Sequence, residues 1–344
     1  MSKLEFLYLS QKDVIASGGL DMGKIIKKLE EVFSIHSNGD FVLPPKVSVR
    51  WGDAHSEETR GRINAMPGYV GGPVNSAGIK WIGGAPQNPF KYGMPRASAL
   101  IVLNDPETLF PIAVMDGTVI SAMRTGAVTG VAAKRLARPE SSIAGLIGAG
   151  TQNRTQLMAL KIVLPQLKEV TIFDLKQERS AKFALDVGKE LGIDIKPVKS
   201  SREAVEGADV VVTATTAKEP VVKADWFNPG CYYSHVGSYE AEYAVIEKAN
   251  KIVVDDWHQI KHRGVQTLAI MHAEGLIGDD DIYAELGDIV TGKKLGRENG
   301  KEFIYFNSVG LALEDVAVAK MIYDAAVSEN RGVRLELWEK PHWV

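Results

Sequence analysis

The sequence predicts an α/β chain, a Rossmann-type doubly wound parallel sheet joined to an α+β domain. Three observations predict it. The apolar run Ile143–Ile147 breaks into Gly148-Ala-Gly150 and a helical pattern starts at once from Gln152, the strand, glycine turn and helix that open a βαβ unit. From about residue 140 to about 300, short apolar strands alternate with helical segments. From Phe41 to Asn104 the pattern is instead one of short β-type segments broken by Gly and Pro.

At 344 residues the chain has room for two domains and a large core. Hydrophobic residues make up 45% and charged ones 24%, ordinary globular usage. The 40 basic and 43 acidic side chains give a formal net charge of −3 and form no block of like sign. That excludes a nucleic-acid-binding stripe and a polybasic membrane patch, so neither nucleic acid nor membrane is expected as a partner. The single cysteine, Cys231, excludes an intrachain disulfide and suits a reducing compartment. Met-Ser-Lys-Leu-Glu lacks the features of a signal peptide. No apolar run approaches the ~20 residues of a transmembrane helix. A cytoplasmic protein is expected.

In chain order, Leu4–Leu9 reads as a strand and Ser10 as the cap of a short helix over Gln11–Ala16. Ile25, Ile26, Leu29, Val32 and Phe33 space a helix over Met22–His36. Strands follow at Lys46–Trp51, Arg62–Pro67, Ala77–Gly83 and Ser98–Asn104. Asn104-Asp-Pro-Glu-Thr108 is a hairpin-type turn from which Pro111–Met115 returns. Gly117–Leu136 reads as a buried connecting helix capped by Asp116 or Thr118. After the glycine turn, strands are expected at Val170–Asp174, Ile195–Val198, Val210–Ala214, Cys231–Val236, Lys251–Asp255 and Phe303–Phe306. Helices are expected over Gln177–Leu191, Ser201–Glu206, His258–Glu274, Asp280–Thr291 and Gly310–Glu329. The last should pack back on the first domain. Residues 1–120, completed by 310–344, then form the first domain, and 121–309 the dinucleotide-binding one.

The glycine turn points to the cofactor. Gly148 permits the sharp turn, and Gly150 lets backbone approach a pyrophosphate with no Cβ in the way. The free N–H groups and positive dipole end of the new helix would hold the phosphates. Asn153 stands where the fingerprint has its third glycine. Asp174, ending the second strand, is placed to accept hydrogen bonds from ribose hydroxyls and to repel a 2′-phosphate, which favours NAD over NADP. Arg179 keeps NADP as the lesser alternative, and a mere helix cap is the other reading of Asp174.

A nicotinamide enzyme needs a few polar groups converging beside the ring. The first domain offers Lys46, Arg50, Asn64, Lys80 and Arg96, with Arg124 near the start of the connecting helix. Lys80 lies in the otherwise apolar Ala77-Gly-Ile-Lys80-Trp-Ile-Gly83, where an ammonium is costly to bury alone. Either it meets a ligand carboxylate or its stem snorkels to solvent. Arg124, among Ala, Thr and Gly, suits a carboxylate or a diphosphate. His235 ends a sheet strand, as a nicotinamide-ribose contact or a structural histidine. His258 and His262 have the i, i+4 spacing of a metal pair but no third ligand, so no metal is expected. No Gly-x-Ser-x-Gly elbow occurs and Cys231 has no motif around it, which leaves nucleophilic hydrolysis unsupported.

Three motifs in order, Ile120-Ser-Ala-Met-Arg-Thr-Gly-Ala-Val-Thr129, Leu146-Ile-Gly-Ala-Gly-Thr-Gln152 and Phe306-Asn-Ser-Val-Gly-Leu-Ala-Leu-Glu-Asp315, carry a resemblance to the ornithine cyclodeaminase/μ-crystallin family over nearly the whole length. The resemblance implies a homodimer whose N-terminal domain binds substrate, and hydride exchange between nicotinamide and a C–N bond. It implies that Lys46, Lys80 and Arg124 hold the substrate carboxylate and that Val309 lines the substrate pocket. Gly148, Gly150, Thr151, Gln152, Asp174, Thr215, Val236, Gly237 and Ser308, with Arg124, fall to the cofactor. Two departures stand out: Asn64 replaces a glutamate before Met66-Pro67, and Tyr239 replaces the acid after the Val-Gly turn. Cyclodeamination loses its proton carriers without those acids.

A closer likeness is to the branch that cleaves N-(2-amino-2-carboxyethyl)-glutamate in diaminopropionate biosynthesis. It is carried by Gly78–Gly83, Arg96-Ala-Ser98, Leu103–Thr108, Val253–Trp257 and Ala284–Gly292. An amino-acid-type substrate with several carboxylates wants several cations, which Lys46, Arg50, Lys80, Arg96 and Arg124 could supply. Tyr239, His235 or Glu240 would move the proton. Imine reduction, oxidation of another amino acid and non-enzymatic ligand binding are the competing expectations.

Overall fold

The computed structural model describes residues 3–52 and 61–343. The chain forms two compact units, Met1–Arg124 with Leu311–Val344, and Thr125–Gly310. The division falls inside the connecting helix Thr118–Leu136. Of its two candidate caps, Asp116 is the one that acts, its carboxylate accepting the Val119 N–H at 3.1 Å. The Thr118 hydroxyl accepts instead from Ala99 N–H.

The first unit is built on a mixed sheet. Its strands are β1 (Leu4–Leu9), β2 (Phe41–Val42), β3 (Val47–Trp51), β4 (Gly61–Val70), β5 (Ser76–Gly84), β6 (Ala97–Asn104) and β7 (Pro111–Asp116), and, after eight intervening strands, β16 (Val333–Trp338). The order is β16-β1-β7-β6-β5-β4-β2, with β3 also paired to β4. The pairs from β2 to β7 are antiparallel, whereas β1 runs parallel to β7. β16 is an element the sequence reading missed. Val-Arg-Leu-Glu-Leu-Trp alternates apolar and polar at the strand period of two, and it pairs antiparallel with β1.

The helices Met22–Ser37 and Ala312–Ser328 pack against each other, and the second also covers β4, β5 and β6. Gly68 and Gly78 face each other across β4 and β5. A Cβ at Gly68 would lie 3.1 Å from Ala312 Cβ, so this glycine lets the helix settle close to the sheet, while one at Gly78 would meet the Val102 carbonyl at 2.5 Å. Leu9, Ile25, Leu29, Phe33, Ile101 and Leu103 fill the core beneath.

The second unit is a wholly parallel sheet of β8 (Ile143–Ile147), β9 (Glu169–Phe173), β10 (Asp194–Pro197), β11 (Val210–Thr213), β12 (Tyr232–His235), β13 (Lys251–Val254), β14 (Ala284–Glu285) and β15 (Ile304–Asn307). In the order β10-β9-β8-β11-β12-β15-β13-β14 the chain winds outward from β8 to β10 on one side and to β12 on the other, with β15 inserted between β12 and β13. Val210–Val212 and Ile304–Phe306 are fully buried, as continuous apolar runs in a doubly covered sheet should be.

Three helix expectations need correction. Residues 258–274 form two helices, Trp257–Lys261 and Thr267–Ala273, parted near Gly264, whose φ of +66° ends the first. Residues 280–291 begin as a 3₁₀ turn, pass through β14, and become helical only at Leu286–Thr291. There Ala284 and Glu285 find backbone partners on β13, and that pairing wins over the helical spacing. The short first helix runs only over Gln11–Val14 before widening into a π turn at Ile15–Gly19. No helix among the described residues is long and apolar enough to cross a membrane.

Candidate active site

Two constellations stand out, one in each unit. In the second unit the sheet order reverses between β8 and β11, the switch point where open α/β sheets bind ligands beyond their carboxyl ends. Gly148 follows β8 with φ of +100°, and a Cβ there would strike the Ala214 carbonyl at 2.7 Å. Only glycine fits this turn. Gly150 is the N-cap of the helix Thr151–Val163, no side chain caps that helix, and a Cβ at Gly150 would point into open space. The first-turn N–H groups lack intrahelical partners by construction, so this helix end can take a pyrophosphate. Asn153, in place of a third glycine, is fully buried, and its amide donates to the carbonyls of Ile147 at 2.8 Å and Gly148 at 2.7 Å. It ties the turn together.

The other cofactor candidates end neighbouring strands. Asp174 follows β9, its carboxylate accepting from Ala149 N–H at 2.9 Å and Lys176 N–H at 3.0 Å. The N-cap of the helix Gln177–Leu191 is Lys176, so Asp174 is not that helix's cap. Thr215 follows β11, Val236 and Gly237 follow β12, and Ser308 follows β15. Thr151 and Gln152 open the helix after Gly150. Residues from five strands thus converge on one edge of the sheet, and a dinucleotide fits them.

Glu240, which sequence reading held as a proton carrier, is fully buried and already engaged. Its carboxylate accepts from the Thr213 hydroxyl at 2.8 Å, Thr215 N–H at 2.5 Å and Gly237 N–H at 2.7 Å. It holds the loops after β11 and β12 in place. His235 is likewise fully buried; Nε2 donates to the Ser238 carbonyl at 2.8 Å, so Nδ1 accepts from the Tyr305 hydroxyl at 2.7 Å. Burial holds its pKa below the usual value. Of the two roles considered, the structural one is seen. Tyr239 lies half-buried in the turn after β12, its ring 6.2 Å from Tyr243. Val309 is buried, its N–H given to Asp255 and its carbonyl to Arg263. Burial pushes the Cys231 thiol up to about 12, far from a nucleophile's range. The rings of His258 and His262 are 4.5 Å apart, and His262 Nδ1 bonds the His258 carbonyl.

The first unit holds a buried charge set. Lys80 is 1% exposed, and its ammonium donates to Asp315 at 2.6 Å and to Ser121 at 3.2 Å. The snorkelling alternative is therefore excluded. Arg124 donates to Asp315 at 3.1 Å and to Glu314 at 2.5 Å. Asp315 and Glu314 are fully buried at the start of the helix Ala312–Ser328, where a helix N-terminus favours negative charge. Burial, and then Arg124, pull the Lys80 ammonium down to about 8 against the pull of Asp315. Burial raises the Glu314 carboxyl above its usual range against the pull of Arg124. Replacing such buried ion sets by packed apolar residues is often neutral or stabilising by about 1–4 kcal/mol, so stability is a poor reason for this one. A lysine whose proton is loosened, with a fixed arginine charge and two acids beside it, can instead bind a carboxylate and move a proton.

Asp315 and Glu314 were missed as site residues. The available signal was a pair of acids at the N-terminus of an otherwise apolar helix, in a chain with two buried cations to neutralise. Lys46 precedes β3, Arg50 lies on it, Asn64 on β4 accepts from the Ser48 hydroxyl at 2.7 Å, and Arg96 precedes β6. On β4 and β5 Asn64 and Lys80 share one sheet face, since Met66, two residues past Asn64, lies opposite Lys80.

A family-wide sequence comparison matches residues 7–330 to the ornithine cyclodeaminase/mu-crystallin family. The N-((2S)-2-amino-2-carboxyethyl)-L-glutamate dehydrogenase of Staphylococcus aureus is 37% identical over 336 residues, 97% of this chain and 99% of that one. The Delta(1)-pyrroline-2-carboxylate reductase of Thermococcus litoralis, solved with NADH and L-proline, superposes with a TM-score of 0.88 at 39% identity, covering 95% of this chain and 99% of that one. An archaeal alanine dehydrogenase dimer with bound NAD gives 0.88 at 38% identity, covering 97% and 100%.

Proposed function

The chain belongs to the ornithine cyclodeaminase/mu-crystallin family, and on that footing we propose that it oxidises N-(2-amino-2-carboxyethyl)-glutamate, releasing 2-oxoglutarate and 2,3-diaminopropionate. More broadly it is an NAD-dependent oxidoreductase of that family. The observation that carries the substrate-binding part is the buried set Lys80–Asp315–Arg124–Glu314. The 37% identity to the staphylococcal enzyme over nearly the full length supports the particular substrate.

Bound NAD supplies the hydride acceptor. Lys80 and Arg124 hold the α-carboxylate of the glutamyl half, fixing which face of Cα is presented. The Cα–H pair leaves as hydride, the C–N bond becomes an imine, and one water adds across it to give the oxo acid and the free amine. Asp315, 2.6 Å from Lys80, keeps the ammonium charged for binding, and the Lys80–Asp315 pair is the nearest proton relay to that carboxylate. Tyr239 is the further candidate for the proton taken from water. In the second unit Gly150, Thr151 and Gln152 hold the pyrophosphate, Asp174 the adenosine ribose, and Thr215, Val236, Gly237 and Ser308 the nicotinamide half. Asn64 and Tyr239, where acids would serve cyclodeamination, argue against ornithine.

The protein acts as a homodimer in this reading. The sheet face opposite Lys80 carries Val47, Trp81 and Leu100, in adjoining register and 63%, 45% and 48% exposed. An apolar row of that size wants a partner, and a second copy fits it. The similarity to a reductase solved with L-proline favours a second reading, reduction of a cyclic imine.

Absorbance at 340 nm with NAD and a panel of the conjugate, ornithine, proline and alanine tests the assignment. NADH formed with the conjugate alone, with free 2-oxoglutarate, is the expected result. NADH from proline instead would replace it with the cyclic-imine reading.

A further inference from the structure

Arg50 of β3 stands directly opposite Arg62 of β4. The same row continues to Gly84 of β5 and Ala97 of β6, the neighbour of Arg96. Like charges directly opposed on a sheet are destabilising, and an anion bound between them would relieve the repulsion. Among the described residues the charges acting on the Arg62 guanidinium are Arg50 and Arg96, both repulsive. Arg50, Arg62 and Arg96 each keep more than a third of their surface in solvent. Partial desolvation, then Arg50 and Arg96, pull Arg62 below its ordinary range, and partial desolvation alone does so for Arg96.

The cluster also lies in line with the buried charge set. Arg62, Asn64 and Met66 share a face of β4 by the strand period, and Met66 is opposite Lys80. Arg62 is opposite Gly84, four residues along β5 from Lys80, about 13 Å of strand. That gap is one that the reach of an arginine side chain and a small dicarboxylate could together span. Ser48 and Asn64, hydrogen-bonded at 2.7 Å, stand in the row between.

We propose that Arg62 and Arg96, with Arg50 beside them, form a second anion subsite that takes the distal carboxylate of a dicarboxylic substrate whose α-carboxylate is held at Lys80. Arg62 is then a specificity residue that reads chain length and charge. The subsite rests on the substrate class given above, yet it is tested apart from turnover.

The probes are 2-oxoglutarate and 2-oxopentanoate, equal in chain length and differing only in the distal carboxylate. Their dissociation constants are measured by calorimetry on the NADH-bound protein. The wild type should prefer 2-oxoglutarate at least tenfold, and Arg62→Gln should cut that preference below threefold while 2-oxopentanoate binds as before. Arg96→Gln should do the same, and it carries the test if Arg62→Gln fails to bind NADH. Equal affinity of the two probes in the wild type, or an undiminished preference in the variants, overturns the subsite. If the conjugate fails to reduce NAD while the preference persists, the assigned reaction falls and the subsite stands.

Discussion

Substituting Asp315→Asn probes the centre of the proposed site. The wild-type Lys80 ammonium sits at about 8, so an anionic ligand should lose its counter-ion as pH rises through that value. With NADH bound, the affinity for 2-oxopentanoate should be flat below pH 8 and fall up to tenfold per pH unit above it. Asp315 opposes the fall in the Lys80 pKa through Coulomb attraction and a 2.6 Å hydrogen bond. An opposite charge at such range moves a pKa by about 1–3, so the Asn variant should release the proton with its break below about pH 7. At low pH its affinity should rise, because a carboxylate beside the ligand has gone. Breaking a buried pair costs about 3–5 kcal/mol, and urea melts will show whether the variant stays folded at the assay temperature. A break at or above the wild-type position would refute the idea that Lys80 is the ligand's counter-ion.

Lys80→Met tests the same group through folding. The unfolded chain holds the lysine proton up to about 10.5 and the folded chain only to about 8, so between those values the wild type should gain stability with pH relative to the variant. Parallel curves would contradict it. Gly150→Val adds bulk where a Cβ meets nothing, so urea melts should show no more than the roughly 1 kcal/mol lost to a poorer N-cap while NAD affinity, read by fluorescence titration, drops at least tenfold. Gly145→Ala would place a Cβ 1.8 Å from the Ala204 carbonyl, and chemical denaturation should show a loss of about 1–3 kcal/mol or more. Asp174→Ala should weaken NAD more than NADP in paired titrations; equal losses would leave Asp174 only its bonds to Ala149 and Lys176.

The residues that read clearly from sequence are those whose constraint is local. Gly148 needs a positive φ in a turn its neighbours announce, and the buried runs of β8, β11 and β15 carry their own length and composition. Lys80 and Arg124 were conspicuous because a cation in apolar company demands a partner. The partner was not legible, because Asp315 lies 235 positions after Lys80 and nothing local ties the two. Arg62 was hidden for a similar reason: one arginine on a strand is unremarked until register sets Arg50 opposite and brings Arg96 near. Glu240 looked reactive as a lone acid after a strand, and only the three donors around it show that it is spoken for. The parting of helices at Gly264 and the strand at β14 turn on tertiary pairing that periodicity does not carry.

The first unit's sheet closes with β16 on β1, and its helix Ala312–Ser328 brings Glu314 and Asp315. On the ribosome this sets an order of events. Residues 125–310 are contiguous and can fold as they emerge, while β1 to β7 wait for a segment made after them. At about 5–20 residues per second that wait is roughly 10–40 s. Throughout it Lys80 has no carboxylate, the Gly68–Gly78 floor has no helix, and β1 has an open edge. The nucleotide fold is itself complete only at Gly310, just before Glu314 and Asp315, so the two units close almost together. The interval is one in which a chaperone has something to shield, and catalysis begins only with the finished molecule.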